Sequence, residues 1–413
     1  MNLLVLFLIV IGVAFVAPII TRRLGLPEVT GIILFGIILG GYGLFPLVGH
    51  PEFSIIRFDS EGSAVTEGGR ILIELGNLGL IFLMFLAGLE MDIETVRKDL
   101  KETILLGLLT FIIPFALGYL LGWYFYNDVG ISMLIAIILS TTSIGVVVPI
   151  LKELGMVGTR TGGLIIGAAT IDDVLSMVAL AIVLKWILGV EGEIIQFISI
   201  VLLFFLSVMY LTPKFGDIFL NRPKVLVSIE AETRFLILIL LIISVVSEEI
   251  GLHPMVGAFI AGLAFSETLK TGWFTEKLNA IGYGFFIPIF FFVVGAKTDL
   301  WALMRLEDAL TFCISLIAIA IAGKFLGAFI GGMLIKLDRR EMLGTSFAMI
   351  TRLAVGLAAA NVAYENNMID TAVFSSFVLL AAVTTILTPP LAKKFLYSEE
   401  SMEAVMFSGK GGK

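Results

Sequence analysis

Two adjacent aspartates, Asp172 and Asp173, stand in the middle of an apolar run that extends from Gly162 to Leu184. At about 1.5 Å of rise per helical residue, the pair sits roughly 15 Å into that run. This is near the centre of a ~30 Å hydrocarbon layer. Carboxylates at such depth are costly, and where they occur they mark ion and proton pathways. Adjacent helical residues point about 100° apart, so the two acids face different surroundings. One can pair with a cation of the protein while the other faces a water-filled path.

Three further features fall at a similar depth in other apolar runs: the hydroxyl cluster Thr141, Thr142 and Ser143, then Lys324, then Arg352. Lys324 is the natural mate of one aspartate, because a desolvated lysine keeps its charge only beside an acid. Gly323 and Gly327 flank it and allow another helix to approach closely. A carboxylate–lysine pair that an arriving cation can break is a competition device: sodium displaces protons from the acids, and protonation releases sodium. The blander alternatives are a static ion pair between Asp172 and Lys324, and ordinary helix–helix hydrogen bonding for the hydroxyls. Arginine is effectively always charged and so a poor proton carrier. Arg352 is therefore expected to clamp orphan carbonyls of a broken helix rather than to touch the ion.

The elements that must position these residues are transmembrane helices. The 413-residue chain is 59% hydrophobic and 15% charged, far below the roughly 25% charge of soluble domains. Hydropathy predicts an all-α polytopic protein with thirteen spans: 2–20, 28–47, 70–90, 103–126, 130–151, 162–188, 194–211, 233–250, 253–268, 280–296, 308–335, 342–364 and 370–392. Basic residues gather in alternate connections. They include Arg22 and Arg23, Arg97, Lys98 and Lys101, Lys152 and Arg160, Lys214, Arg222, Lys224 and Arg234, Lys270 and Lys277, Lys336, Arg339 and Arg340, and Lys393 and Lys394. Arg57, Arg70, Lys297 and Arg305 fall on the other side. This bias places the N-terminus outside and the C-terminus in the cytoplasm of a multi-pass cell-membrane protein. The reading assigns 1–395 to one membrane domain and 396–413 to a short cytoplasmic tail.

Spans five and twelve lie seven apart, and both break their apolar run at mid-depth. The first reads Ser140-Thr-Thr-Ser-Ile-Gly145 with Pro149 beyond, the second Thr351-Arg352-Leu-Ala-Val-Gly356. Six spans, a linker span and six more make these counterparts in an inverted repeat, with two discontinuous helices marking the binding site.

Other chemistry is not indicated. The single cysteine, Cys313, excludes an intrachain disulfide framework, and His50 and His253 near span ends suggest no histidine metal site. No Walker-type loop implies nucleotide hydrolysis, so neither a cofactor nor a nucleic-acid partner is expected. The apolar start lacks a basic n-region and reads as a retained first helix.

Phe82-Leu-Met-Phe-Leu-Ala-Gly-Leu-Glu90-Met-Asp92, His253-Pro-Met-Val-Gly-Ala-Phe-Ile-Ala-Gly262 and Pro288-Ile-Phe-Phe-Phe-Val-Val-Gly295 resemble the second monovalent cation–proton antiporter family across about residues 1–395. The Asp-Asp pair is similar to that of NapA-type electrogenic sodium/proton antiporters. Kef-type potassium efflux systems usually carry Gln-Asp there. The resemblance implies core and dimerisation domains, a homodimer in the lipid bilayer and an elevator movement. It further implies Asp173 as the main sodium ligand, Asp172 as the mate of Lys324, and Thr142 and Ser143 at the crossing of the broken helices. Many relatives carry Gly-Glu after the span-twelve arginine, whereas Leu353 and Ala354 follow Arg352 here.

The sequence thus points to a secondary antiporter of sodium or lithium against protons. The acids, assisted by Thr141, Thr142 and Ser143, bind cation and proton in competition, and Lys324 and Arg352 supply coupling or structural charge. Alternatives are potassium/proton exchange or Kef-like potassium efflux on the same scaffold, and a gated cation channel. An intramembrane aspartyl hydrolase is the most distant, since its two acids must converge on one water.

Overall fold

The computed structural model describes residues 3–23, 27–43, 54–57, 64–90, 99–156, 159–187, 194–220, 229–266, 272–305 and 308–396. Arg97, Lys98, Arg222, Lys224, Lys270, His50, Asp92 and the tail beyond residue 396 lie outside them. Every regular element among the described residues is helical. In hydrocarbon the backbone must satisfy its own hydrogen bonds, and a helix does so within one segment. Among the described residues, seven helices are long and apolar enough to cross a membrane, and four shorter apolar helices accompany them. The chain is a multi-pass membrane protein.

The chain divides into two compact units, residues 1–91 with 181–298 and residues 92–180 with 299–413. The first unit holds α1 (Leu3–Arg23), α2 (Glu28–Leu39) and α3 (Glu67–Leu89). Span two was expected to run to residue 47, but α2 ends at Leu39. Gly40 is extended there and donates its N–H to Gly36 O, so the Gly40-Gly41-Tyr42-Gly43 cluster ends the helix.

The second unit opens with α4 (Leu100–Tyr126), followed by a broken pair, α5 (Val129–Ser140) and α6 (Ile144–Glu153). Asn127, at φ 47°, ends α4. Asp128 then starts α5 by accepting the Ile131 N–H at 2.8 Å. The long helix α7 (Arg160–Ile187) carries the two aspartates and passes from the second unit into the first between Leu180 and Ala181.

The first unit continues with α8 (Ile194–Leu220), α9 (Ile229–Glu249), α10 (Pro254–Phe265) and α11 (Gly272–Ile281). A π-helical turn at Gly282–Phe286 leads into α12 (Ile287–Ala296). The π turn was not anticipated from the sequence. It keeps the span continuous while setting the Phe286 ring parallel to Phe82 of α3, centroids 5.0 Å apart. Helices α2 and α12 meet almost backbone to backbone: a Cβ on Gly295 would lie 3.0 Å from Gly36 Cα. Outward-facing apolar residues dominate α1, with Leu4, Leu8 and Phe15 all more than two-thirds exposed, as a lipid-facing surface requires.

The second unit resumes with the short α13 (Ala302–Arg305) and the long α14 (Ala309–Leu334). A second broken pair follows, α15 (Arg339–Ala348) and α16 (Ala354–Glu365), and α17 (Thr371–Leu396) closes the chain's described part. The order long helix, broken helix, long helix therefore occurs twice in this unit. Asp338 and Glu341 form a capping box that starts α15. Helix α14 lies directly on α4: a Cβ on Gly327 would fall 2.6 Å from Leu109 O. A Cβ on Gly323 would lie 2.9 Å from Pro114 Cα. The expected close helix contact around Lys324 is thus made by α4.

Candidate functional site

The site lies in the second unit, where the two broken helices meet. Thr141, Thr142 and Ser143 are non-helical between α5 and α6, and Thr351, Arg352 and Leu353 are non-helical between α15 and α16. The two interruptions bond each other. Ser143 donates its N–H to Thr351 O at 3.0 Å, and Thr351 Oγ1 donates to Ser143 O at 3.4 Å. Each break leaves carbonyls at the end of one half-helix, and such ends attract positive charge.

Two basic side chains meet that demand. Arg352, 2% exposed, donates from Nε to Leu139 O at 3.0 Å, and its Nη2 reaches Leu139 O and Ala320 O. Its Nη1 donates to Ile350 O at 3.1 Å. The guanidinium thus ties the Leu139 carbonyl near the end of α5 and the carbonyl that follows α15 to mid-α14. Lys324 is fully buried and donates to Ser140 O, to Thr142 Oγ1 at 2.7 Å and to Asp172 Oδ2. Those three acceptors use all three ammonium protons.

Around Asp172 the network closes, because Thr142 Oγ1 donates its own proton to Asp172 Oδ2 at 2.6 Å. Asp173, the next residue on α7, is buried as well. Three buried oxygens here have no hydrogen-bond partner: Asp172 Oδ1, Asp173 Oδ1 and Ser143 Oγ. All three belong to Ser143 or to the two adjacent carboxylates of α7. Buried unpartnered acceptors call for an explanation, and a bound ion or water is the usual one. Oxygen atoms suit a hard, closed-shell cation.

The structure therefore brings together Asp172, Asp173, Thr142, Ser143, Lys324 and Arg352. Thr141 stands apart. Its hydroxyl donates to Ile138 O at 2.9 Å in its own helix, and it packs against Gly356. The sequence reading missed four participants. Thr351 bridges the two breaks, and Thr384 of α17 receives the Arg352 N–H at 3.3 Å. Ser140 offers its carbonyl to Lys324, and Ser176 of α7 lies 3.2 Å from Ser140 Oγ. Ser140 and Thr351 stood at the edges of the two polar interruptions, and Ser176 follows Asp172 by four residues and so shares its helix face.

Comparison with known proteins agrees with this fold. The chain is 33% identical over 404 residues to the probable Na(+)/H(+) antiporter 3 of Methanocaldococcus jannaschii, covering 96% of this chain and 98% of that one. It is 30% identical over 381 residues to the Na(+)/H(+) antiporter of Enterococcus hirae, covering 91% and 93%. Among solved structures, the sodium proton antiporter MjNhaP1 of Methanocaldococcus jannaschii superposes with a TM-score of 0.66 at 16% identity, covering 99% of this chain and 98% of that one, so the fold is shared. The family model for the transmembrane part of sodium/hydrogen exchangers matches residues 11–394, and the chain belongs to that family.

Proposed function

We propose that this protein is a secondary active antiporter that exchanges sodium or lithium for protons across the cell membrane. The observation that carries the reading is the buried Asp172–Lys324–Thr142 network beside Asp173, with three unpartnered oxygens around it. In this reading Asp173 is the main cation ligand, and Asp172 and Ser143 complete the oxygen set. Lys324 holds Asp172 until a cation arrives. Two acids and one lysine carry more protons than sodium ions per cycle, so exchange is electrogenic, as in the NapA-type subgroup. Arg352 contributes its charge to half-helix carbonyls and not to coupling.

The same reading takes the second unit as the core that moves and the first as the dimerisation scaffold of a homodimer working by an elevator movement. It keeps thirteen crossings, an external N-terminus and a cytoplasmic C-terminus. The naming of its relatives as Na(+)/H(+) antiporters supports sodium and protons as the exchanged ions.

The sign of the pH dependence follows from competition. Protons occupy the acids at low pH and exclude sodium. On the acid side the apparent sodium KM falls as pH rises, by up to about tenfold per unit for one-for-one competition. A pH jump imposed on proteoliposomes, with sodium, lithium and potassium compared, tests the reading. Sodium- and lithium-driven proton movement is expected from the wild-type protein, with a loss of at least about tenfold in Asp173→Asn. Undiminished exchange in Asp173→Asn would remove Asp173 from the site, and a response to potassium alone would replace sodium as the cation.

A further inference from the structure

We propose that Ser176 is a positioning residue for Lys324, acting through Ser140; the inference rests on the exchange reading above. Ser176 is buried on α7, one turn beyond Asp172. Its Oγ lies 3.2 Å from Ser140 Oγ, and Ser140 Oγ also sits 2.7 Å from Ile137 O. A carbonyl only accepts, so the single hydroxyl proton of Ser140 goes to Ile137 O. Ser176 is therefore the donor of the serine–serine bond, and Ser140 is held from both sides.

Ser140 is the last residue of α5, and its carbonyl is one of the three acceptors that saturate the Lys324 ammonium. The other two, Thr142 Oγ1 and Asp172 Oδ2, are side-chain atoms. Helix α7 thus grips the end of α5 at two levels one turn apart, through Asp172 to Thr142 and through Ser176 to Ser140. The charged groups acting on the ammonium are Asp172 and Asp173 from α7 and Arg352 from the second interruption. Where α4 packs against α14 it presents Leu109, Thr110 and Pro114, which carry no charge. Among the described residues Ser176 makes no hydrogen bond to Lys324 or to either aspartate. Its influence passes through the placement of the Ser140 carbonyl.

Removing the Ser176 hydroxyl loosens Ser140 and weakens one of three contacts to a charged donor. A cation then displaces Lys324 from Asp172 more readily. In proteoliposomes, Ser176→Ala is expected to lower the apparent sodium KM about two- to tenfold at a fixed acid-side pH. The pH of half-maximal exchange should fall by about half a unit, with the maximal rate within about twofold of wild type. Ser176→Thr keeps the donor and should keep the wild-type profile. Ser140→Ala keeps the carbonyl but loses the link, so it should reproduce the shift. The double variant should shift no further than either single one, because both remove the same interaction.

The proposal is overturned by a Ser176→Ala protein with unchanged KM and pH profile, or by a fall in maximal rate with both preserved. Additive shifts in the double variant overturn it too. If Ser176→Ala does not fold, Ser140→Ala decides the matter by the same measurements. Absence of sodium-dependent proton movement in the wild-type protein would overturn the exchange reading itself, and this inference with it, before any variant is compared.

Discussion

Lys324 and the aspartates differ in how completely they are satisfied. The ammonium has an acceptor for each proton, whereas one oxygen of each carboxylate has no donor. The charge of Lys324 is therefore held in place, while the acids keep capacity for another cation. Replacing Lys324 by Gln removes the counter-charge of Asp172, and breaking a buried pair in this way costs about 3–5 kcal/mol. The expected outcome is a lower unfolding temperature and a smaller response of sodium uptake to an imposed membrane potential. An unchanged response would take the lysine charge out of coupling. At this scale the sequence was informative where residues were rare: an acid or lysine inside an apolar run stands out. Ser140 and Ser176 did not, because serine is common between membrane helices and most such hydroxyls bond their own backbone. The carbonyls of Leu139, Ala320 and Ile350 were invisible, since every residue carries one.

The two interruptions are the elements on which the site depends. Polar residues at mid-span announced both, and their mutual hydrogen bonds explain why the chain tolerates two non-helical stretches in one place. Sequence periodicity reports which segments are helical but not which ends face each other. Nothing in it paired the end of α5 with the guanidinium of Arg352, 213 residues later. The π turn at Gly282 and the early end of α2 escaped for a related reason, since hydropathy measures solubility in lipid and is blind to backbone register. Arg352→Ala would leave the carbonyls of Leu139 and Ile350, at the ends of the half-helices, without these donors. At about 1–3 kcal/mol for each orphaned group, the protein should lose about 2 kcal/mol or more. Arg352→Lys should recover only part, because an ammonium cannot span the same acceptors. Thermal unfolding in detergent, followed with and without sodium, checks this. A stable Arg352→Ala protein with altered sodium affinity would instead place Arg352 in coupling.

At the scale of the whole molecule, each unit draws on two separate stretches of the chain, and hydropathy alone would not have divided them this way. Composition made the membrane class legible, and loop charge supplied an orientation that labelling can test. In a Cys313→Ser background, Glu365→Cys should react with an impermeant maleimide only from outside, and Arg339→Cys only from the cytoplasmic side. The reverse pattern would invert the protein in the membrane. The second unit also has a history in time. The end of α5 takes its capping charges from Lys324 and Arg352, and the Lys324–Ser140 bond spans 184 residues. At about 5–20 residues per second, the ribosome needs roughly ten to forty seconds to supply them. Through that interval the first broken helix waits in the membrane with its terminal carbonyls uncapped by their final partners. The half of the network made first cannot settle into its final geometry until the second half has been synthesised beside it.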